Sequence, residues 1–258
     1  MVALALTRFL LRYSLNTPTY ITGLPYLTLP HVNLDLNHPS RISLASEAHS
    51  RPFMPISAPA GITHLAVYLG SQNAGAQSNQ RAEHGRLLAL LCEHFGASPP
   101  YAEATHFYHD FGALQLKWEN HLEFSTYTFV QVADSDDPFT CQPMNRVPAS
   151  WMQALAGHLM VAAQVSLVKT RRFSGDGSAI LSHFPGDIVI GSEVLDGCGE
   201  VWSNFQVQAD GFARFLICDT GLRDSLQTGR LVHRVLELET YRMMALIALP
   251  VAREAIIR

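Results

Sequence analysis

Between Leu114 and Phe124 the chain changes character residue by residue. Leu114, Leu116, Trp118, Leu122 and Phe124 are apolar, and Lys117, Glu119, His121 and Glu123 stand between them. A two-residue period is what a strand shows when one of its faces lies on a core, so the stretch from Tyr101 to Val132 is expected to form one or two long antiparallel strands. Ile62 to Leu69, Leu159 to Val168, Val201 to Gln208 and Phe212 to Cys218 also read as strands, the last two joined by the hairpin dipeptide Asp210-Gly211. Elsewhere the period becomes helical. Leu87, Leu88, Leu91 and Phe95 share one face and stop at Gly96, Trp151 to Leu155 suits a helical turn, and Gly229 to Arg258 repeats helically with at most a kink at Pro250. A short helix over 37–49, capped near Asn37 or Ser40 and stopped at Arg51-Pro52, precedes these elements. Gly175-Asp-Gly177 and Gly197-Cys-Gly199 mark turns. The expected fold is α+β: a single domain with a mainly antiparallel sheet, flanking helices and a long C-terminal helix.

With 48% hydrophobic and 16% charged residues, the 258-residue chain has ample material for a core. A net charge of −4 supplies no drive toward nucleic acid. Cys92, Cys141, Cys198 and Cys218 are far apart and form no C-x-x-C pair, so reduced thiols are expected. Arg8 and Arg12 interrupt the apolar start, which argues against a signal peptide. No apolar run is long enough to span a bilayer, and the chain as given reads as cytoplasmic. Its organisation reads as an irregular leader (1–36), a globular domain (37–224) and a closing helix (225–258). No glycine or asparagine ends that helix, so the chain is expected to be the front part of something longer.

Three groups of residues could carry chemistry. Glu119, His121 and Glu123 would project together from a regular strand and offer two carboxylates and an imidazole to a divalent metal or to acid–base work. The competing reading makes them the solvated side of a half-buried strand. His106 and His109 share that segment but would lie on opposite faces. Glu47, His49 and Arg51 gather at the end of the first helix, as an anion clamp or as last-turn pairing. In the closing helix Arg230, Arg234, Glu237 and Tyr241 form a polar stripe. Glu239 and Arg242 fall on the apolar arc, where unpaired charge is costly, so a buried ion pair joined by another polar group is expected. No nucleophile elbow, phosphate loop, dinucleotide fingerprint or H-E-x-x-H occurs, and no cofactor is expected beyond the divalent metal named above.

Four ordered strings carry a resemblance. They are Glu47-x-His49-x-Arg51-Pro52-Phe53, then Lys117-Trp118-Glu119-x-His121-x-Glu123-Phe124-x-Thr126-Tyr127-Thr128-Phe129, then Asp210-Gly211-Phe212-x-Arg214-Phe215. The last runs from Gly229-Arg230-Leu231-Val232 through Glu237-x-Glu239-Thr240-Tyr241-Arg242-Met243-Met244-Ala245-Leu246. Over 38–258 the chain resembles a bacterial family of uncharacterised, predicted membrane-anchored proteins. The resemblance implies no catalytic residue. It implies a soluble head followed by a longer helical part and membrane-spanning helices. Two functions follow as expectations: an interaction or sensory head with a protein partner or self-association, or an enzyme or metal binder gathering Glu119, His121 and Glu123 with His49, Arg51 and Arg214.

Overall fold

Ala60-Gly-Ile-Thr-His-Leu-Ala-Val-Tyr68 forms strand β1 (Ala60–Tyr68), buried along all but its last residue. A strand buried on both parities must be covered on both faces, and β1 lies in the middle of its sheet. The structure is a computed structural model that describes residues 52–68, 74–121, 123–134, 137–169, 180–186 and 188–257, with isolated positions between 38 and 45. Every element below belongs to the compact unit Met54–Arg258. The leader, the end of the expected first helix with Glu47, His49 and Arg51, and the expected turn at 175–177 lie outside the described residues.

On one side β1 pairs antiparallel with β4 (Phe124–Val132), beyond which lie β3 (Gln115–Asn120) and β2 (His106–Asp110). On the other side it pairs antiparallel with β5 (His158–Val168), followed by β8 (Ala213–Asp219), β7 (Gly199–Val207) and β6 (Ile190–Val194). The eight strands form one sheet in which β5 and β8 alone run parallel, from Ala163 opposite Ala213 to Val168 opposite Cys218. The fold is therefore α+β with a mostly antiparallel sheet.

Helices cover both faces. Helix α1 (Ala74–His94) packs Leu87, Leu88, Leu91 and Cys92 with Leu65, Leu116, Tyr127 and Phe129. Gly96, in left-handed conformation, ends it with Gly96 N–H on the Glu93 carbonyl (3.1 Å) and Ala97 N–H on the Cys92 carbonyl (2.7 Å), the Schellman pattern. The short α2 (Ala149–Gln153) adds Trp151 to the same layer, its indole N–H donating to the Leu87 carbonyl. Helix α3 (Ser225–Ile257) lies on the opposite face, where Val232 and Leu236 join Ile62, Ala66, Val161, Ala163, Phe215 and Ile217. Asp224 caps it, accepting from Gln227 N–H at 2.8 Å. A Cβ on Gly229 would run into the Met54 carbonyl oxygen, so this glycine lets α3 approach the segment leading into β1. The helix continues through Pro250.

Two local expectations are corrected. The stretch from Tyr101 to Val132, expected as one or two long strands, holds three, β2, β3 and β4, and the alternation from Leu114 to Phe124 is broken where β3 stops at Asn120 and β4 begins at Phe124. The intervening turn resets the phase, so Trp118 packs with α1 and Phe124 on the α3 side. The Asp210-Gly211 connection is longer than a two-residue hairpin. It spans 208–212, closed by Gln208 N–H on the Phe212 carbonyl, with Gly211 at φ +84°.

Candidate functional site

The face of β3 expected to meet solvent is the face that α3 covers. Sheet register sets the polar side chains in rows. Lys117 of β3, Thr128 of β4 and His64 of β1 are direct neighbours, and the next row runs Glu119, Thr126, Ala66. Small residues, Ala163 and Ala213, extend the first row beneath α3. From above, α3 contributes His233 and Thr240, both buried.

His64 is held from both sides. The Thr240 hydroxyl donates to the Leu236 carbonyl (2.9 Å), which leaves its oxygen to accept from His64 Nε2–H at 3.1 Å. His64 Nδ1 is then the acceptor, and the Thr128 hydroxyl donates to it at 2.8 Å. Burial, reinforced by the Lys117 charge, lowers the imidazole pKa to about 3. His64 is thus a neutral tie between β4, β1 and α3. Burial, then the charges of Lys117, His64 and Arg234, likewise pushes His233 well below the usual histidine range.

Lys117 is 4% exposed, and its Nζ lies 3.0 Å from Glu119 Oε2. The solvated-face reading of Glu119 is therefore overturned: its side chain is 12% exposed and neutralises a buried ammonium. At the rim, Arg234 Nη1 meets Glu237 Oε2 at 2.6 Å. Burial raises the Glu237 carboxyl, with Arg234 and Lys117 pulling it part of the way back. Thr126 Oγ1 is buried and has no hydrogen-bond partner among the described residues.

The expected site residues are not gathered. His121 lies in the turn and stacks on Phe124 with ring centroids 4.1 Å apart, and Glu123 is exposed. The geometry that would have aimed Glu119, His121 and Glu123 together needed a continuous strand. Arg214 lies on the other face of the sheet, since it pairs with Gln164, itself opposite Thr63, whereas the next residue His64 faces α3. Among the described residues no three His, Cys, Asp or Glu side chains are arranged to hold a metal ion. Glu239 is buried and pairs bidentately with Arg242, both contacts at 2.7 Å. The half-exposed Arg242 guanidinium also lies 5.5 Å from the Phe205 ring centroid, so the further contact is aromatic where a polar one was expected.

Lys117, Glu119, Thr126 and Thr128 come from one of the four strings read in the sequence, and Glu237, Glu239, Thr240 and Arg242 from another. The structure stacks these strings face to face. Residues 36–258 match the family described as Protein of unknown function (DUF3422). The chain belongs to this family. No curated protein and no solved structure matches the chain. Sequence reasoning missed His64 and His233, the residues on which the DUF3422 cluster is centred here. Both sit in apolar runs, and a polar residue on a buried parity was the signal that pointed to them.

As chemistry, the cluster is a set of paired charges around one locked imidazole, that of His64. Neutral His64 has both nitrogens engaged and Lys117 is neutralised, so the deep part fixes α3 on the sheet. Glu237 at the rim is the carboxylate of the cluster that solvent reaches most readily, its side chain 32% exposed.

Proposed function

We propose that this domain is an interaction module whose working element is α3, and that the buried cluster sets the direction in which α3 leaves the sheet. One contrast along the helix carries the reading. Val232, His233, Leu236, Glu239 and Thr240 are buried, but every residue from Ala245 to Pro250 is exposed although all six are apolar. A helix that is apolar all round belongs in a buried setting. Among the described residues no helix is long and apolar enough to cross a membrane, so the surface suits another helix. Its occupant in this reading is α3 of a second copy, because one apolar helix presented twice is self-complementary about a two-fold axis. The resemblance to membrane-anchored proteins supports placing this end toward a bilayer, with the module as its soluble head.

Analytical ultracentrifugation of the chain and of a Leu246→Glu/Ile247→Glu variant tests this. The expected result is a concentration-dependent dimer that the variant abolishes. A strict monomer, unchanged by the variant, refutes the pairing, and binding of that monomer to phosphatidylcholine vesicles would assign the patch to lipid instead.

A second reading rests on Glu237. Its raised carboxyl beside Lys117 and Arg234 resembles the poise of a general acid. Turnover of a substrate that is abolished in Glu237→Gln, with the fold intact, would favour an enzyme over the module.

A further inference from the structure

On the face turned away from α3, polar side chains fill a gap between two apolar clusters. Leu65, Leu116 and Phe129 belong to the layer under α1, and Val168, Leu216 and Phe184 to a separate cluster under 180–186. Between them the register sets Thr63 of β1 beside Gln164 of β5, and Gln164 beside Arg214 of β8. The adjacent row runs from Gln131 of β4 through Gly61 to Ser166. A Cβ on Gly61 would run into the Cys141 carbonyl oxygen, so the 139–141 loop lies directly over this row. Phe139 of the same loop, at φ +63°, has the Arg214 guanidinium 5.4 Å from its ring centroid.

Four buried polar atoms along this seam are unsatisfied. Thr63 Oγ1, Gln131 Oε1, Gln164 Oε1 and Arg214 Nε are buried and have no hydrogen-bond partner among the described residues. Arg214 reaches Asp210 through Nη2 at 3.0 Å, a contact that does not use its buried Nε. Thr63 is fully buried and Gln164 is 5% exposed. Folded proteins rarely leave buried polar groups without partners, and several at adjacent positions across four neighbouring strands need an occupant.

The chemistry of the four atoms restricts that occupant. Two amide oxygens accept only, Arg214 Nε–H donates only, and the Thr63 hydroxyl does either. A bare anion would satisfy Arg214 and leave both amide oxygens without donors. An ammonium group would face the Arg214 charge. A hydroxyl donates and accepts at once. We propose that the seam formed by Thr63, Gln131, Gln164 and Arg214 is a binding site for a small neutral polyhydroxylated molecule, with Phe139 as its aromatic wall.

The test uses the full chain, glycerol and glucose as probes, and inorganic phosphate as the anionic comparison. Side-chain amide resonances of Gln131 and Gln164 are followed by 1H–15N NMR. The expected result is a saturable shift with glucose or glycerol and none with phosphate. In Gln164→Leu the apparent Kd should rise at least about tenfold, the equivalent of roughly 1.4 kcal/mol. Thr63→Val, nearly isosteric, serves as the second variant if Gln164→Leu does not fold. No saturable shift with either polyol overturns the proposal. So does a shift with phosphate alone, or an equal response in wild type and both variants. A rise in melting temperature of Gln164→Leu without any polyol response would make the seam a tolerated packing defect.

Discussion

Replacing Glu119 by leucine removes the acceptor of a buried ammonium and leaves its surroundings otherwise intact. The Lys117 side chain is 5% exposed and Glu119 Oε2 is its ion-pair partner at 3.0 Å. Breaking one side of a buried pair costs about 3–5 kcal/mol, because the remaining charge stays out of water. Glu237 lies within the field of Lys117 and takes over part of the neutralisation, which places the expected cost near the lower end, about 3 kcal/mol. In a domain of this size about 1 kcal/mol moves the melting temperature by roughly 2–4 °C, so calorimetry should show a fall of roughly 6–12 °C. The companion variant Lys117→Met/Glu119→Leu removes both charges and should return to within about 1 kcal/mol of wild type, since replacing a whole buried pair by apolar groups is often neutral. Urea unfolding gives both values. If Glu119→Leu lies within about 0.5 kcal/mol of wild type, it behaves as a surface substitution, and the burial argument fails. A double variant worse than the single one would show equally that the two charges are not a unit.

Other consequences are as direct. His64 titrates at about 3 in the fold but near 6.5 when unfolded, so below about pH 6.5 the unfolded chain binds a proton that the native state refuses. Its contribution to stability is complete above that pH and is lost as pH falls toward 3; the slope of urea midpoint against pH between 7 and 5 should flatten in His64→Gln. Gly229→Ala should gain about 1 kcal/mol of helix propensity but set a methyl against the Met54 carbonyl; the clash should win, with net destabilisation of about 1–3 kcal/mol by urea unfolding. Arg242→Ala should cost more than the double variant Glu239→Leu/Arg242→Ala, because it strands a carboxylate that is 3% exposed; equal losses in denaturant titrations would count against a buried Glu239.

The architecture was legible where period and punctuation agreed. The run that became β1, the apolar face of α1 ended by Gly96, and the long α3 all carry local signals that tertiary packing reinforced. The site was far less legible, for three reasons in particular residues. The turn at 121–123 is short and contains no glycine or proline, so the alternation ran straight across it and put His121 and Glu123 in line with Glu119. Lys117 and Glu119 read as solvated because periodicity reports which side chains share a face, and says nothing of a helix more than a hundred residues later that covers it. Arg214 and Glu119 looked compatible until register separated them: Arg214 follows Gln164 and Thr63 to one face, His64 and Lys117 go to the other. Pairing order is a property of the whole sheet, and the parallel contact of β5 with β8 has no local signature.

That contact also divides the sheet by origin. Strands β1 to β5 come from 60–168 and β6 to β8 from 190–219, and each group is joined internally by antiparallel pairing. The β5–β8 ladder is the single line of backbone bonds between the groups, and its partners, such as Ala163 and Ala213, are far apart in sequence. The ladder joins a strand of the first group to one made some fifty residues later, and α3, packed across β5 and β8, is made after both. During synthesis β5 therefore keeps one edge unpaired until β8 emerges, and the face of their junction stays uncovered until the helix that lies across it has been made.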